Sequence, residues 1–123
     1  TYGGNPLGCA VGLAVLEHVA DPAFLDSVRR KSGALRQSLE GLVAAHPQVF
    51  AEVRGAGLML GLRCHGAPAD LVQAGYAEEV LTVPAADNVV RLLPPLTISE
   101  AEIAEGVARL DRAAARVGAT AAA

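Results

Sequence analysis

Cysteine is scarce in this sequence: two residues in 123, Cys9 and Cys64, with no CxxC pair and no histidine at metal-ligand spacing beside either. That argues against a metal site and fits reduced thiols in a cytoplasmic protein, while leaving a single bridge between the two open. Basic charge is also thin. Ten Lys and Arg residues lie scattered against thirteen Asp and Glu, for a net charge of −3 and a pI near 5.5, so there is no basic stripe for nucleic acid or an anionic membrane. Small molecules or other proteins are the expected partners. The longest strongly apolar stretch without charge, Pro6 to Leu16, falls well short of the roughly 20 residues a spanning helix needs. The opening Thr1-Tyr2-Gly3-Gly4 shows neither a Met nor a basic-then-apolar leader, so no signal peptide is expected and the chain reads as a piece of something longer. No internal repeat or low-complexity linker is present. What the chain does have is apolar content, 52% with a mean hydropathy of +0.36, which suits one globular unit with one core.

Asn5 before Pro6 is a helix start, and the helix it opens should run to about Val19. Leu7, Cys9, Ala10, Val11, Leu13, Ala14, Val15 and Leu16 cover nearly every direction around that helix. Such a helix belongs in an interior, and a domain this small cannot supply one, so its partner surface is expected in polypeptide beyond this sequence. Asp21-Pro22 repeats the start signal, and Leu25, Val28, Leu35, Leu39 and Leu42 mark the stripe of an amphipathic helix ending near His46-Pro47. From Val49 to Cys64, short apolar runs broken by Gly55, Gly57 and Gly61 predict a hairpin. Its turn accounts for the glycines after Arg54 better than an anion-binding nest does. A short helix from Pro68 to about Glu79 follows, then strands at Val80–Val83 and Val89–Leu93 around a Pro-Ala-Ala-Asp-Asn turn. Ser99 with Glu102 is a capping box. Ile103, Val107, Leu110, Ala114 and Val117 then lay a last helix on the sheet, with Glu105, Arg109 and Arg112 largely outward. The fold class is α+β, a two-layer sandwich with helices on one face of a small sheet. It divides into a connecting helix over 1–20, a small domain over 21–118 and a frayed tail over 119–123.

The opening Thr1-Tyr2-Gly3-Gly4-Asn5-Pro6-Leu7 resembles the segment that follows the Schiff-base lysine of class III aminotransferases. Three further blocks occur in that family's order: Val53 to Gly61, Leu81-Thr82-Val83-Pro84, and Asn88-Val89-Val90-Arg91-Leu92-Leu93-Pro94-Pro95-Leu96 leading to Ile98-Ser99-Glu100. Ala86 departs from the pattern where many relatives carry glycine, which would stiffen that turn. The resemblance implies a homodimeric fold type I transferase with pyridoxal 5′-phosphate as cofactor, of which this chain is the small C-terminal domain plus the helix leading into it. Thr1 matches the threonine that binds the cofactor phosphate of the neighbouring subunit, and Arg91 the arginine that pairs with the α-carboxylate of glutamate or 2-oxoglutarate. The wording of Asn88–Leu96 lies nearest the branch that moves the δ-amino group of N-acetylornithine to 2-oxoglutarate in arginine biosynthesis. Ornithine, succinylornithine and 4-aminobutyrate branches are its neighbours.

Read without the resemblance, Arg91 is either a cation inside an apolar strand that requires an anion opposite, or an edge-strand residue facing water. Transamination needs an imine-forming lysine, and the single lysine, Lys31 in Arg29-Arg30-Lys31-Ser32, should be solvated beside the stripe of its helix. The family places its lysine upstream of the Thr1 position, so the isolated chain is expected to be inactive. The competing reading is a non-catalytic α+β module that binds an amino acid or a partner protein. His18, His46 and His65 read as surface or helix-end residues, and Cys9 and Cys64 as small buried hydrophobes.

Overall fold

A computed structural model describes residues 2–121. Four helices and four strands follow in the order α1 (Pro6–Val19), α2 (Pro22–Ala45), β1 (Phe50–Ala56), β2 (Met59–Cys64), α3 (Pro68–Ala77), β3 (Val83–Ala85), β4 (Val89–Leu92) and α4 (Glu100–Ala121). The strands form one antiparallel sheet in the order β1-β2-β4-β3, and α2, α3 and α4 cover one of its faces. This is the α+β two-layer arrangement expected.

Local signals set most boundaries. The Asn5 side chain accepts from the Gly8 amide at 2.7 Å, the Asp21 carboxylate accepts from the Ala23 amide at 2.9 Å, and Pro6 and Pro22 begin the helices they cap. At α4 the Ser99 hydroxyl accepts from the Glu102 amide at 3.2 Å while the Glu102 carboxylate accepts from the Ser99 amide at 2.8 Å, a complete capping box. β1 and β2 are joined by the two-residue turn Gly57-Leu58, whose first position has φ 58° and so favours glycine.

The core lies between the covered face of the sheet and the helices. Phe50, Leu60, Leu62 and Val90 from the strands meet Leu35, Leu39 and Leu42 of α2, Leu71 of α3, and Ile103, Leu110, Ala113 and Ala114 of α4. The helix α1 buries none of its residues; Leu7, Val11, Leu13, Val15 and Leu16 are all exposed, and nothing among the described residues covers them.

Several details differ from the sequence reading. The third strand begins at Val83 rather than Val80, because α3 ends in a left-handed cap instead of feeding directly into a strand. Glu79 has φ 56°, its amide donates to the Tyr76 carbonyl at 3.2 Å, and the Val80 amide donates to the Gly75 carbonyl at 2.9 Å. These are the two bonds of a Schellman motif, built here without the usual glycine. Arg109 and Arg112 do not merely face water. The Arg109 guanidinium donates to the Glu79 carbonyl at 2.9 Å and to its carboxylate at 3.0 Å, while Arg112 and Arg116 both reach the Glu78 carboxylate. Arg109 thereby ties down the left-handed, non-glycine residue itself, and Arg112 and Arg116 tie down the residue before it. Cys64 is buried as expected, but Cys9 is exposed on α1, and both thiols are free. The helix α4 continues through Gly118 to Ala121.

Candidate functional site

The uncovered face of the sheet carries a cluster of charged side chains. In an antiparallel sheet, directly paired residues project to the same side, so the register fixes which side chains share that face. Arg54 pairs with Gly61, Gly61 with Arg91, and Arg91 with Val83, making one row across all four strands. The adjacent row contains Glu52, Arg63, Val89 and Ala85. Three arginines therefore lie on two neighbouring rows with one carboxylate among them.

That carboxylate is committed. Glu52 Oε1 lies 2.8 Å from Arg54 Nε and 3.1 Å from Arg63 Nε, and the Arg54 hydrogen bond is the main cause holding the Glu52 carboxyl below its ordinary value. Asp87 stands 3.8 Å from the Arg54 guanidinium. Arg91, by contrast, is exposed on this face and makes no ion pair or side-chain hydrogen bond to any described residue. The strand that carries it is interior to the sheet, flanked by β2 and β3, so Arg91 is neither buried against an anion nor placed on an edge. It is a guanidinium on an open ledge whose neighbouring arginines are already paired. Its planar fork suits bidentate capture of a carboxylate.

Two local features shape the ledge. Gly61 leaves a bare position between Arg54 and Arg91, and a Cβ built there would come within 2.5 Å of Val89 Cγ1, so the valine already leans across that space. The β3–β4 connection is a tight turn in which Asp87 and Asn88 adopt φ of 60° and 57° and the Val89 amide donates to the Ala86 carbonyl at 3.3 Å. Both central residues having positive φ marks a type I′ hairpin turn, for which Asp and Asn are suited. The left-handed positions are Asp87 and Asn88, so alanine at position 86 carries none of that strain.

Among the other sequence candidates, Thr1 lies outside the described residues. Lys31 is half-buried rather than freely solvated: its ammonium donates to the Leu96 carbonyl at 3.0 Å and the Ile98 carbonyl at 2.8 Å. His46, next to the end of α2, is hydrogen-bonded to Asp111 at 2.7 Å, His18 packs on Phe24 with ring centroids 4.8 Å apart, and no three metal-ligating groups cluster among the described residues. Glu52 was not singled out from the sequence, although Glu52 and Arg54, two apart in a strand, share a face and could have been paired on that spacing. No single helix among the described residues is long and apolar enough to cross a membrane.

The sequence profile described as aminotransferase class-III matches residues 1–114. The chain belongs to the class III aminotransferases. It is 68% identical over 115 residues to acetylornithine aminotransferase of Rhodobacter capsulatus, a match covering 94% of this chain and 29% of that relative, and 50% identical over 115 residues to the Agrobacterium fabrum enzyme of the same name, with the same coverage. Its structure superimposes on that of N-acetylornithine aminotransferase from Stenotrophomonas maltophilia with a TM-score of 0.87 and 36% identity, over 96% of this chain and 33% of the other. This class III chain thus spans less than a third of the length of the relative it matches at 68%.

Class III aminotransferases depend on pyridoxal phosphate. The described residues do not by themselves make a site for it. The one amine that could hold the coenzyme's aldehyde is engaged with two backbone carbonyls, and at the start of α1 the Gly8 amide is already capped by Asn5. What the described part of this class III chain offers is the exposed, unpaired guanidinium of Arg91 on the open face of the sheet.

Proposed function

We propose that this chain is the C-terminal part of a homodimeric cytoplasmic aminotransferase that moves the δ-amino group of N-acetylornithine to 2-oxoglutarate in arginine biosynthesis. In this reading the stretch 1–20, with α1 in it, connects to the rest of the enzyme, and the small domain begins at residue 21 and ends on α4. The observation that carries the reading is Arg91, an exposed guanidinium left without an anion while Glu52 occupies Arg54 and Arg63 beside it. The 68% identity with the Rhodobacter capsulatus enzyme supports N-acetylornithine as amino donor. In this reading Arg91 grips the α-carboxylate of glutamate or 2-oxoglutarate, and Thr1 reaches the phosphate of the pyridoxal phosphate held by the neighbouring subunit. The amine that holds the coenzyme is assigned to the remaining length of the enzyme.

The test is Arg91→Lys in the full-length enzyme. Replacing a bidentate fork by a point charge should raise the KM for 2-oxoglutarate by about tenfold or more, with the KM for N-acetylornithine little changed. Equal effects on both substrates would remove Arg91 from this role. Turnover of N-acetylornithine against ornithine, N-succinylornithine and 4-aminobutyrate decides the amino donor, and a preference for any of the other three replaces it. The 123-residue chain treated with pyridoxal phosphate and borohydride should show no pyridoxyl adduct on Lys31, whose ammonium is tied to Leu96 and Ile98.

A further inference from the structure

The single lysine is fastened to the segment that leaves the arginine strand. Residues 93–99 lead from the end of β4 to the start of α4, and Lys31 on α2 donates to two carbonyls within that segment, Leu96 at 3.0 Å and Ile98 at 2.8 Å. We propose that Lys31 is a positioning residue for Arg91: its ammonium, bonded to the Leu96 and Ile98 carbonyls, fixes the segment after β4 and with it the end of the strand that presents the guanidinium. The inference rests on the reading of Arg91 as the carboxylate grip.

Besides the packing of Ile98 against the core, little else among the described residues holds the segment. Pro94 and Pro95 contribute no amide donors, and the one backbone bond within the segment, from the Ile98 amide to the Pro95 carbonyl at 3.0 Å, closes a turn. Carbonyls held by neither helix nor sheet require another donor, and an ammonium with three N–H groups can serve both. Apolar packing beneath the segment is also incomplete. A cleft of about 180 Å³, open to solvent on one side, lies there, lined in part by Leu35, Leu92, Pro94, Ile98, Ile103 and Val107. Leu35 follows Lys31 by one helical turn, so α2 presents to this region one side chain that lines the cleft and one that makes two charge-assisted bonds. At the far end the segment is held by the Ser99–Glu102 capping box. Lys31 thus adds a polar fixed point between the arginine strand and α4, and Leu92 and Leu93, the two residues after Arg91, border the same cleft. Loss of the ammonium frees the segment beyond Leu92, whose own pairing with Leu60 is the last of the strand, to settle toward the cleft, and loosens the setting of a guanidinium whose geometry must match a planar carboxylate.

In the full-length enzyme, Lys31→Met keeps the apolar stem and removes the donors. The expected result is a KM for 2-oxoglutarate raised about tenfold, with the KM for N-acetylornithine within about twofold of wild type, and faster amide hydrogen exchange over residues 93–98. Lys31→Arg, which retains donors, should recover most of the 2-oxoglutarate KM. In an Arg91→Lys background, Lys31→Met should add little, since the two act on one interaction. Unchanged exchange over 93–98, equal effects on the two substrates, or full additivity with Arg91→Lys would each overturn the proposal. If Lys31→Met does not fold, Lys31→Gln, which keeps one amide donor pair, is measured in the same way. If Arg91→Lys itself fails to discriminate the substrates, it is the reading of Arg91 that has failed, and exchange over 93–98 still reports whether Lys31 fastens the segment.

Discussion

The two faces of the sheet are written by alternate residues of the same strands, and they follow different rules. On the covered face Leu60, Leu62 and Val90 are almost wholly removed from water, each packed among leucines and alanines of the helices. Nothing polar is needed there, and every methylene counts. On the open face the corresponding positions are Arg54, Gly61, Arg91, Glu52 and Arg63, where volume matters little and the pairing of charge decides which group stays available. Glu52 holds two arginines and leaves the third. One face therefore gives the domain its stability, and the other leaves Arg91 open to an anion on a surface that rests on that stability.

The comparison predicts unequal responses to substitution. The largest should come from Leu62→Ala on the covered face. Leu62 is 0% exposed at the centre of β2, and deleting its side chain leaves a hole among Leu35, Leu39 and Val90 that close packing cannot fill. The expected loss is about 3 kcal/mol, read as a lower urea midpoint at unchanged slope. A loss as small as that from a substitution on the open face would mean the two faces do not differ in the way described.

Gly61→Ala should cost less, and through a different cause. The added methyl would lie 2.5 Å from Val89 Cγ1, so the valine has to move. Overpacking of one carbon on a solvent-facing surface should cost about 1–2 kcal/mol. Val89→Ala in the same chain removes the clash and should restore most of it. Failure of that rescue would show that Gly61 is required for some reason other than room for Val89.

Much of this was legible in the sequence, and the reasons can be named. Asn5-Pro6, Asp21-Pro22 and Ser99 with Glu102 are local signals in which the side chain that caps the helix is also the one that marks it, so they predicted where α1, α2 and α4 begin. The hairpin was legible because Gly57 must occupy a left-handed position. The start of β3 was not, because the cap that ends α3 uses Glu79 where a glycine would have announced it, and the arginines that compensate lie on α4, 30 or more residues away. The fate of Lys31 was hidden for the same reason. Its two acceptors are backbone carbonyls 65 and 67 residues further along, and a carbonyl leaves no trace in residue type. Arg91 was legible as a candidate, yet the sequence could not say whether it faced core or water. That depends on the strand order, in which β4 is interior and its alternate residues face the open side.

The smallest expected effect concerns acid. The carboxyls of Glu52 and Glu78 are both held below their ordinary value of 4.5, Glu52 chiefly by its hydrogen bond to Arg54 and Glu78 chiefly by its bond to Arg112. A carboxyl whose folded value is lowered contributes stability that is fully present above the unfolded value and is lost as the pH falls through the folded one. Stability should therefore be flat in this respect above about pH 4.5 and decline below it. The two glutamates differ in setting. The Glu78 side chain is 9% exposed between two arginines of α4, whereas that of Glu52 is 47% exposed on the open face. Water and salt screen Glu52 more strongly. Glu78→Gln should accordingly flatten the acid limb of a stability-against-pH curve more than Glu52→Gln does, and added salt should narrow the gap between wild type and Glu52→Gln first. If Glu52→Gln flattened the curve more, the open-face arginines would be stabilising the fold as well as serving the ledge, and the division of labour between the two faces would have to be redrawn.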